Sequence, residues 1–291
     1  MADGNGATAH APDECPSVAD AGVRPDLPVR VAGGLAAAAV ALLAFWLGGW
    51  PLGLALALAL VLMGAEWSRL TLERTDARAI ARVTLPAVGA VLLLTWLLGL
   101  DRPPLSTPTV IEAMLVVALA VGWIISRNFD RKLAPLGASI YLGVPALCIL
   151  WLRDQPEGFA LVLWLVAIVA AADSFAYFVG STLGGPRLAP RISPGKTWSG
   201  LIGGVAGAAL VGGAAAWLLH WTVPAAAALA AMLALVSQAG DLFESWMKRR
   251  AGVKDSGALI PGHGGLLDRL DGYLFAVPVL TVILALQEVP R

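Results

Sequence analysis

From Trp198 to Gly240, His220 is the only ionisable side chain. A soluble helix needs a polar face, and this run has none; it fits two helices that are apolar all round, the form a chain takes in a bilayer, where each segment must satisfy its own backbone N–H and C=O groups. Apolar runs of similar length recur along the chain. A hydrocarbon core about 30 Å thick takes roughly 20 helical residues to cross. On that scale we place nine helices near residues 31–49, 51–66, 80–100, 110–126, 136–152, 158–179, 199–220, 223–247 and 268–287. The first two are short and tightly joined around Gly48-Gly49-Trp50-Pro51, as a hairpin that need not cross fully. Composition agrees: 58% of residues are hydrophobic and 14% charged, where a soluble domain carries about 25% charged residues. The fold class expected is an all-α polytopic membrane protein.

The basic residues orient it. Arg24 and Arg30, then Arg69 to Arg82, Arg127 to Lys132, Arg187 to Lys196, and Lys248 to Arg269 fall in one alternate set of connections and hold seventeen of the 20 Lys and Arg residues. Arg102, Arg153 and Arg291 fall in the other set. The positive-inside rule then puts the N-terminus in the cytoplasm and the C-terminus outside, across a cell inner membrane. Residues 1–28, rich in Ala, Gly, Pro and Asp, read as a disordered cytoplasmic tail, followed by N-terminal membrane helices over 29–157 and a second helical region over 158–291. Tryptophans such as Trp46, Trp67, Trp151 and Trp246 near the expected helix ends suggest an interfacial belt. The formal net charge is zero, so no basic field argues for nucleic acid. Cys15 and Cys148 have neither disulfide nor metal-ligand spacing.

Charge concentrates between two apolar runs, in residues 241–272. At about 100° per residue, Asp241, Glu244, Ser245 and Lys248 share one helix face, so acids, a hydroxyl and an amine point together and can hold a cation beside a phosphate. Beyond Gly252 the glycines at 257, 262, 264 and 265 and Pro261 end the helix and permit backbone N–H groups to approach an anion. A new helix is expected near Asp268, with Asp271 one turn on. Asp173 lies inside an expected span about two turns from its cytoplasmic end, where an unpaired carboxylate is costly and so marks a site. Asp241 with Asp268 makes an oxygen set suited to Mg²⁺. His263 has no histidine near it, which argues against zinc. Gly195-Lys196-Thr197 is not a P-loop, since the required earlier glycine is Pro190, yet Lys196 can still serve as a phosphate-binding charge. Glu66 and Glu112, at helix ends, read as interfacial or packing residues. The spacing Gly203-Gly204-x-x-Gly207 permits close helix packing, within the chain in preference to a homodimer contact, which stays an option.

The run from Ser245 through Lys248-Arg249, Lys254-Asp255, Pro261-x-His263-Gly264-Gly265 and Asp268-Arg269-Leu270-Asp271 resembles the signature of the phosphatidate cytidylyltransferases, the CDP-diacylglycerol synthases. Asp173 to Gly180 and Leu188 to Gly200 are similar to a second segment of that family. Ser181, Ser199 and Gly272 depart from it, where a basic residue, Glu and Ser are usual. The resemblance implies CMP transfer from CTP to phosphatidate, with release of pyrophosphate, at a membrane among lipids. It implies Mg²⁺, with a second cation as an option, on Asp241, Asp268 and Asp271. It implies catalytic roles for Lys248, Arg249, Lys254, Asp255 and His263. Substrate contacts would come from Asp173, Tyr177, Ser193, Lys196, Thr197, Ser245, Gly264, Gly265 and Arg269. Asp173, Lys196, Asp241, Lys248, His263 and Asp268 are expected to converge on one cavity. A CTP-dependent lipid kinase, or a cytidylyltransferase for another lipid phosphate, is the alternative of related chemistry. A transporter is the alternative of another class, opposed by the lack of an internal repeat.

Overall fold

The computed structural model describes residues 27–72, 84–85, 87–93, 137–257 and 264–288. Its elements in chain order are α1 (Leu27–Leu47), α2 (Gly49–Thr71), a π turn (Ser139–Gly143) running into α3 (Val144–Asp154), α4 (Gly158–Leu183), β1 (Arg187–Ala189), β2 (Ser193–Thr197), α5 (Trp198–Leu218), α6 (Val223–Arg250) and α7 (Leu267–Glu288). The protein is an all-α membrane protein: among the described residues five helices, α2 and α4 to α7, are long and apolar enough to cross a bilayer. α2 has 23 residues, longer than the sequence suggested. Residues 84–85 and 87–93, within the third expected span, are helical; the fourth, 110–126, lies outside the described residues, as do residues 1–26.

Helix α4 is the scaffold, and α5 lies on it with its glycines inward. A Cβ added to Gly200 would sit 2.8 Å from the Ala176 carbonyl oxygen, and one on Gly204 2.7 Å from that of Ala172. Side chains would force the backbones apart, so the small-residue spacing serves packing within the chain. Further along, the buried Trp164 indole donates to Gly212 O at 3.0 Å. Leu165, Ile168, Leu233 and Leu280 fill the centre of the bundle, all essentially inaccessible.

Pro145 explains the π turn before α3. It has no N–H for the Tyr141 carbonyl, and the wider turn accommodates its ring. The Tyr141 ring enters a cluster with Trp67 (centroids 5.3 Å apart), Phe243 (5.2 Å) and Phe275 (6.0 Å), which locks α2, α6 and α7 together. Trp67 is therefore buried, as is Trp151, and neither belongs to an interfacial belt; Trp46 and Trp246 remain exposed.

Alternate helix ends gather at opposite ends of the bundle. At one end Arg153 donates to the carbonyls of Phe45 (2.5 Å) and Trp46 (2.9 Å), satisfying the open C-terminus of α1, and the Trp221 indole donates to Glu157 at 2.5 Å. At the other, the chain leaves α4 through Gly184 and Gly185, both at positive φ (62° and 106°), and forms a short antiparallel hairpin in which Arg187 pairs with Thr197 and Ala189 with Ser193. The Ser193-Pro-Gly-Lys-Thr197 segment, which falls between the expected helices at 158–179 and 199–220, is thus a strand. Thr197 then caps α5, its hydroxyl accepting from Gly200 N at 3.1 Å. The hairpin lies beside the end of α6, where Arg249 Nε donates to Ile192 O at 3.2 Å.

Candidate active site

At the hairpin end, α4, β2, α5 and α6 enclose a cavity of about 650 Å³. Its wall includes Asp173 and Tyr177 from α4, Arg187 from β1, Ser193, Lys196 and Thr197 from β2, and Gln238 and Asp241 from α6. Asp173 is ten residues from the last residue of α4, closer to three helical turns than two. Lys196 Nζ lies 2.5 Å from Asp241 Oδ2 and donates to Gln238 Oε1 at 2.8 Å. The Gln238 amide in turn donates to Asp173 Oδ1 at 2.9 Å. Ser245 Oγ reaches Asp241 Oδ1 at 3.3 Å. A basic side chain, two carboxylates and an amide thus form one chain of contacts along an open wall.

One turn further along α6 is a second, closed cluster. Lys248 Nζ donates to Glu244 Oε2 at 3.1 Å and to Asp268 Oδ1 at 2.8 Å. Asp268, in the first turn of α7, also accepts from Ser256 N at 3.0 Å and Gly265 N at 2.8 Å. Glu244 is fully buried, and its Oε1 has no hydrogen-bond partner among the described residues. Asp271, three residues beyond Asp268 on α7, accepts from Gly272 N at 2.7 Å. The shared helix face of Asp241, Glu244, Ser245 and Lys248 is present, but tertiary packing divides it: Asp241 faces the cavity and Glu244 the interior.

The expected convergence on one cavity is therefore modified. Asp173, Lys196 and Asp241 line it, whereas Lys248 and Asp268 do not; they belong to the closed cluster. Gly265 N is directed at an oxygen, as its sequence position suggested, but that oxygen is Asp268 Oδ2. Gly264 has φ 85°, a conformation that favours glycine. Arg249, Lys254, Asp255 and Arg269 are exposed and lie off the cavity wall. His263 lies outside the described residues.

Gln238, on the cavity wall, escaped the sequence reading. It is uncharged and sits in an apolar run, so only its helical spacing from Asp241 could have signalled it. Glu66, read as an interfacial or packing residue, is 3% exposed and accepts from Leu266 N (3.0 Å), Leu267 N (2.7 Å) and Ser256 Oγ (3.3 Å). Of the two readings packing holds and interfacial does not; the sequence could not name its partners because they lie some two hundred positions away. Glu112 lies outside the described residues.

Among the described residues no three His, Cys, Asp or Glu side chains gather closely enough to hold a metal ion by themselves. Mg²⁺ does not need that, because it is usually bound by one or two carboxylates together with waters and substrate phosphates. Asp241 on the wall is an oxygen donor of that kind, whereas Glu244, whose Oε1 has no hydrogen-bond partner among the described residues, faces the interior.

The chain is 40% identical over 273 residues to the phosphatidate cytidylyltransferase of Brucella abortus (strain 2308), covering 91% of this chain and 96% of the relative. The phosphatidate cytidylyltransferase of Pseudomonas aeruginosa is 35% identical over 236 residues, 78% of this chain and 85% of that one. That of Synechocystis is 43% identical over 164 residues, 54% and 55% of the two chains. A family model described as the cytidylyltransferase family matches residues 28–287, from the start of α1 to the end of α7, and the chain belongs to that family.

Proposed function

We propose that this protein transfers CMP from CTP to phosphatidate, giving CDP-diacylglycerol and pyrophosphate. The observation that carries the reading is the cavity in which Lys196 and Asp241 meet at 2.5 Å beside Asp173, at the hairpin end of the membrane bundle. A phosphate oxygen of phosphatidate is already an anionic nucleophile. It bonds to the α-phosphorus of CTP, the bond from that phosphorus to its bridging oxygen breaks, and pyrophosphate leaves with the electron pair. Little proton transfer is needed, and catalysis rests on positioning and on neutralising charge.

Lys196 supplies a cation to the triphosphate from the cavity wall, and Arg187 stands on the same wall. Gln238 holds Lys196 and Asp173 apart and in register. Asp241 and Asp271 would hold Mg²⁺, which when bound neutralises and polarises phosphoryl oxygens. Asp268 joins that set only if its contact with Lys248 is exchanged for the cation, since both its oxygens already accept hydrogen bonds. Lys248, Arg249, Lys254, Asp255, His263 and Arg269 remain candidates for the lipid phosphate and the leaving group. Tyr177, 70% exposed on α4, marks a side from which a lipid can enter without lifting its acyl chains out of the bilayer.

The orientation proposed is nine spans with the N-terminus and the cavity on the cytoplasmic side of the inner membrane, where nucleotides are. Its support is the alternation of basic residues together with the grouping of Arg187, Lys196, Lys248 and Arg249 at one end of the bundle.

The test is purified protein supplied with phosphatidate, Mg²⁺ and CTP labelled at either the α- or the γ-phosphate. Label from the α position should enter the lipid fraction and label from the γ position should appear in pyrophosphate. Label from the γ position in the lipid would identify a kinase instead.

A further inference from the structure

We propose that Glu66 is a positioning residue for the reaction. From the last turns of α2 its carboxylate fixes both ends of the segment between α6 and α7, and thereby sets where Asp268 meets Lys248. Two independent observations carry this. The first is the hydrogen bonding: one carboxylate takes the N–H groups of Leu266 and Leu267 and the hydroxyl of Ser256. Leu266 and Leu267 lie at the start of α7, where N–H groups lack helical partners and the helix dipole favours an anion. Glu66 does from another helix what an N-cap does locally. The second is shape: a Cβ on Gly257 would come 2.5 Å from Glu66 Oε1, and one on Gly265 2.8 Å from the same atom. Glycines on both sides of the segment leave the space that this carboxylate fills.

The consequence reaches the closed cluster. Asp268 is the next residue after Leu267, and it accepts from Ser256 N and Gly265 N, so Glu66 and Asp268 grip the same two segment ends. A helix that contributes nothing to the cavity wall thus sets the register of the residues beside it.

The test uses the full chain in lipid nanodiscs, with Glu66→Gln, Glu66→Ala and Glu66→Asp. Glu66→Gln keeps the volume but turns a hydrogen-bond donor toward one of the two N–H groups. Amide exchange at 255–257 and 264–268 should speed up by roughly 10- to 100-fold, the loss expected for an unsatisfied buried donor, with α4 and α5 unchanged. kcat for CMP transfer should fall by a similar factor while the KM for CTP, whose cavity Glu66 does not line, holds; Glu66→Asp should restore part of both. Gly257→Ala should slow turnover in the wild-type chain and add nothing to Glu66→Ala. The activity arm rests on the proposed reaction, whereas the exchange arm does not: local exchange with no CMP transfer even in the wild type would refute the reaction and leave the positioning role standing. Unchanged exchange with wild-type turnover, or faster exchange throughout α4 to α6 in Glu66→Gln, would overturn the proposal, the latter by making Glu66 a residue of general stability.

Discussion

Lys196 and Lys248 both meet carboxylates at the hairpin end of the bundle, and their surroundings differ in kind. Lys196 pairs with Asp241 on an open cavity wall, where the carboxylate side chain is 33% exposed and a bridging amide, Gln238, completes the contact. Lys248 pairs with Glu244 and Asp268, whose side chains are 0% and 10% exposed, and Asp268 is also bound by two backbone N–H groups. The first arrangement keeps acceptor capacity free for a ligand. The second commits the acceptors of Asp268 to Lys248 and two backbone N–H groups, as a largely buried ion pair must if it is not to destabilise the fold, and leaves Glu244 Oε1 without a partner among the described residues. Asp241 and Glu244, one helical turn apart on α6, therefore sit in different surroundings: the first lines an open cavity and the second is buried in a closed cluster.

The most severe test of this contrast is Asp241→Asn. It should lower CMP transfer by about 10²–10³-fold, the scale of losing a main electrostatic contact in a phosphoryl-transfer site, with the thermal midpoint in detergent nearly unchanged. A midpoint that drops along with activity would make Asp241 a structural residue like its neighbours.

Asp268→Ala should behave in the opposite sense, removing the partner of Lys248 and of two N–H groups. Denaturant titration should show a loss of about 3 kcal/mol of stability, with turnover falling as well. Full stability with abolished turnover would instead place Asp268 among the ligands of substrate or metal and erase the distinction between the clusters.

Gly204→Val probes the scaffold on which the open wall is built, because its Cβ would lie 2.7 Å from Ala172 O. Separating α4 from α5 should cost about 2 kcal/mol by thermal denaturation and weaken CTP binding through the displaced wall. Gln238→Leu sharpens the picture at a smaller scale. Removing the bridge between Lys196 and Asp173 should raise the KM for CTP about tenfold, the size of one polar contact to a charged group, with little change in stability. An effect confined to stability would assign Gln238 to the closed type of cluster.

Much of the fold was legible because a bilayer restricts what a chain can do. Apolar length alone located α4 to α7 to within a few residues, and the spacing of Gly203, Gly204 and Gly207 announced the close contact of α5. Charge crowded between apolar runs likewise drew attention to residues 241–272. Asp173 stood out because an ionisable group is expensive inside a span, Asp241 for the helix face it shares with Glu244, Ser245 and Lys248, and Lys196 as a phosphate-binding charge. The small hairpin was missed, since Pro194 and Gly195 obscure any alternating pattern and its pairing comes from docking beside α6.

The sequence by itself determined the solvent this protein lives in, where its long apolar helices α4 to α7 run, and which charged residues crowd between them, since these follow from local polarity and spacing. Only the tertiary structure decided how those residues divide. Asp241 and Glu244 share a helix face, yet packing turns one to a cavity and buries the other; Trp67 and Trp151 look interfacial and are core. Glu66 shows the limit most clearly, for its role exists only because α2 brings a carboxylate to backbone groups some two hundred residues further along the chain. Burial and hydrogen bonding over such distances are properties of the assembled bundle, and no window of sequence contains them.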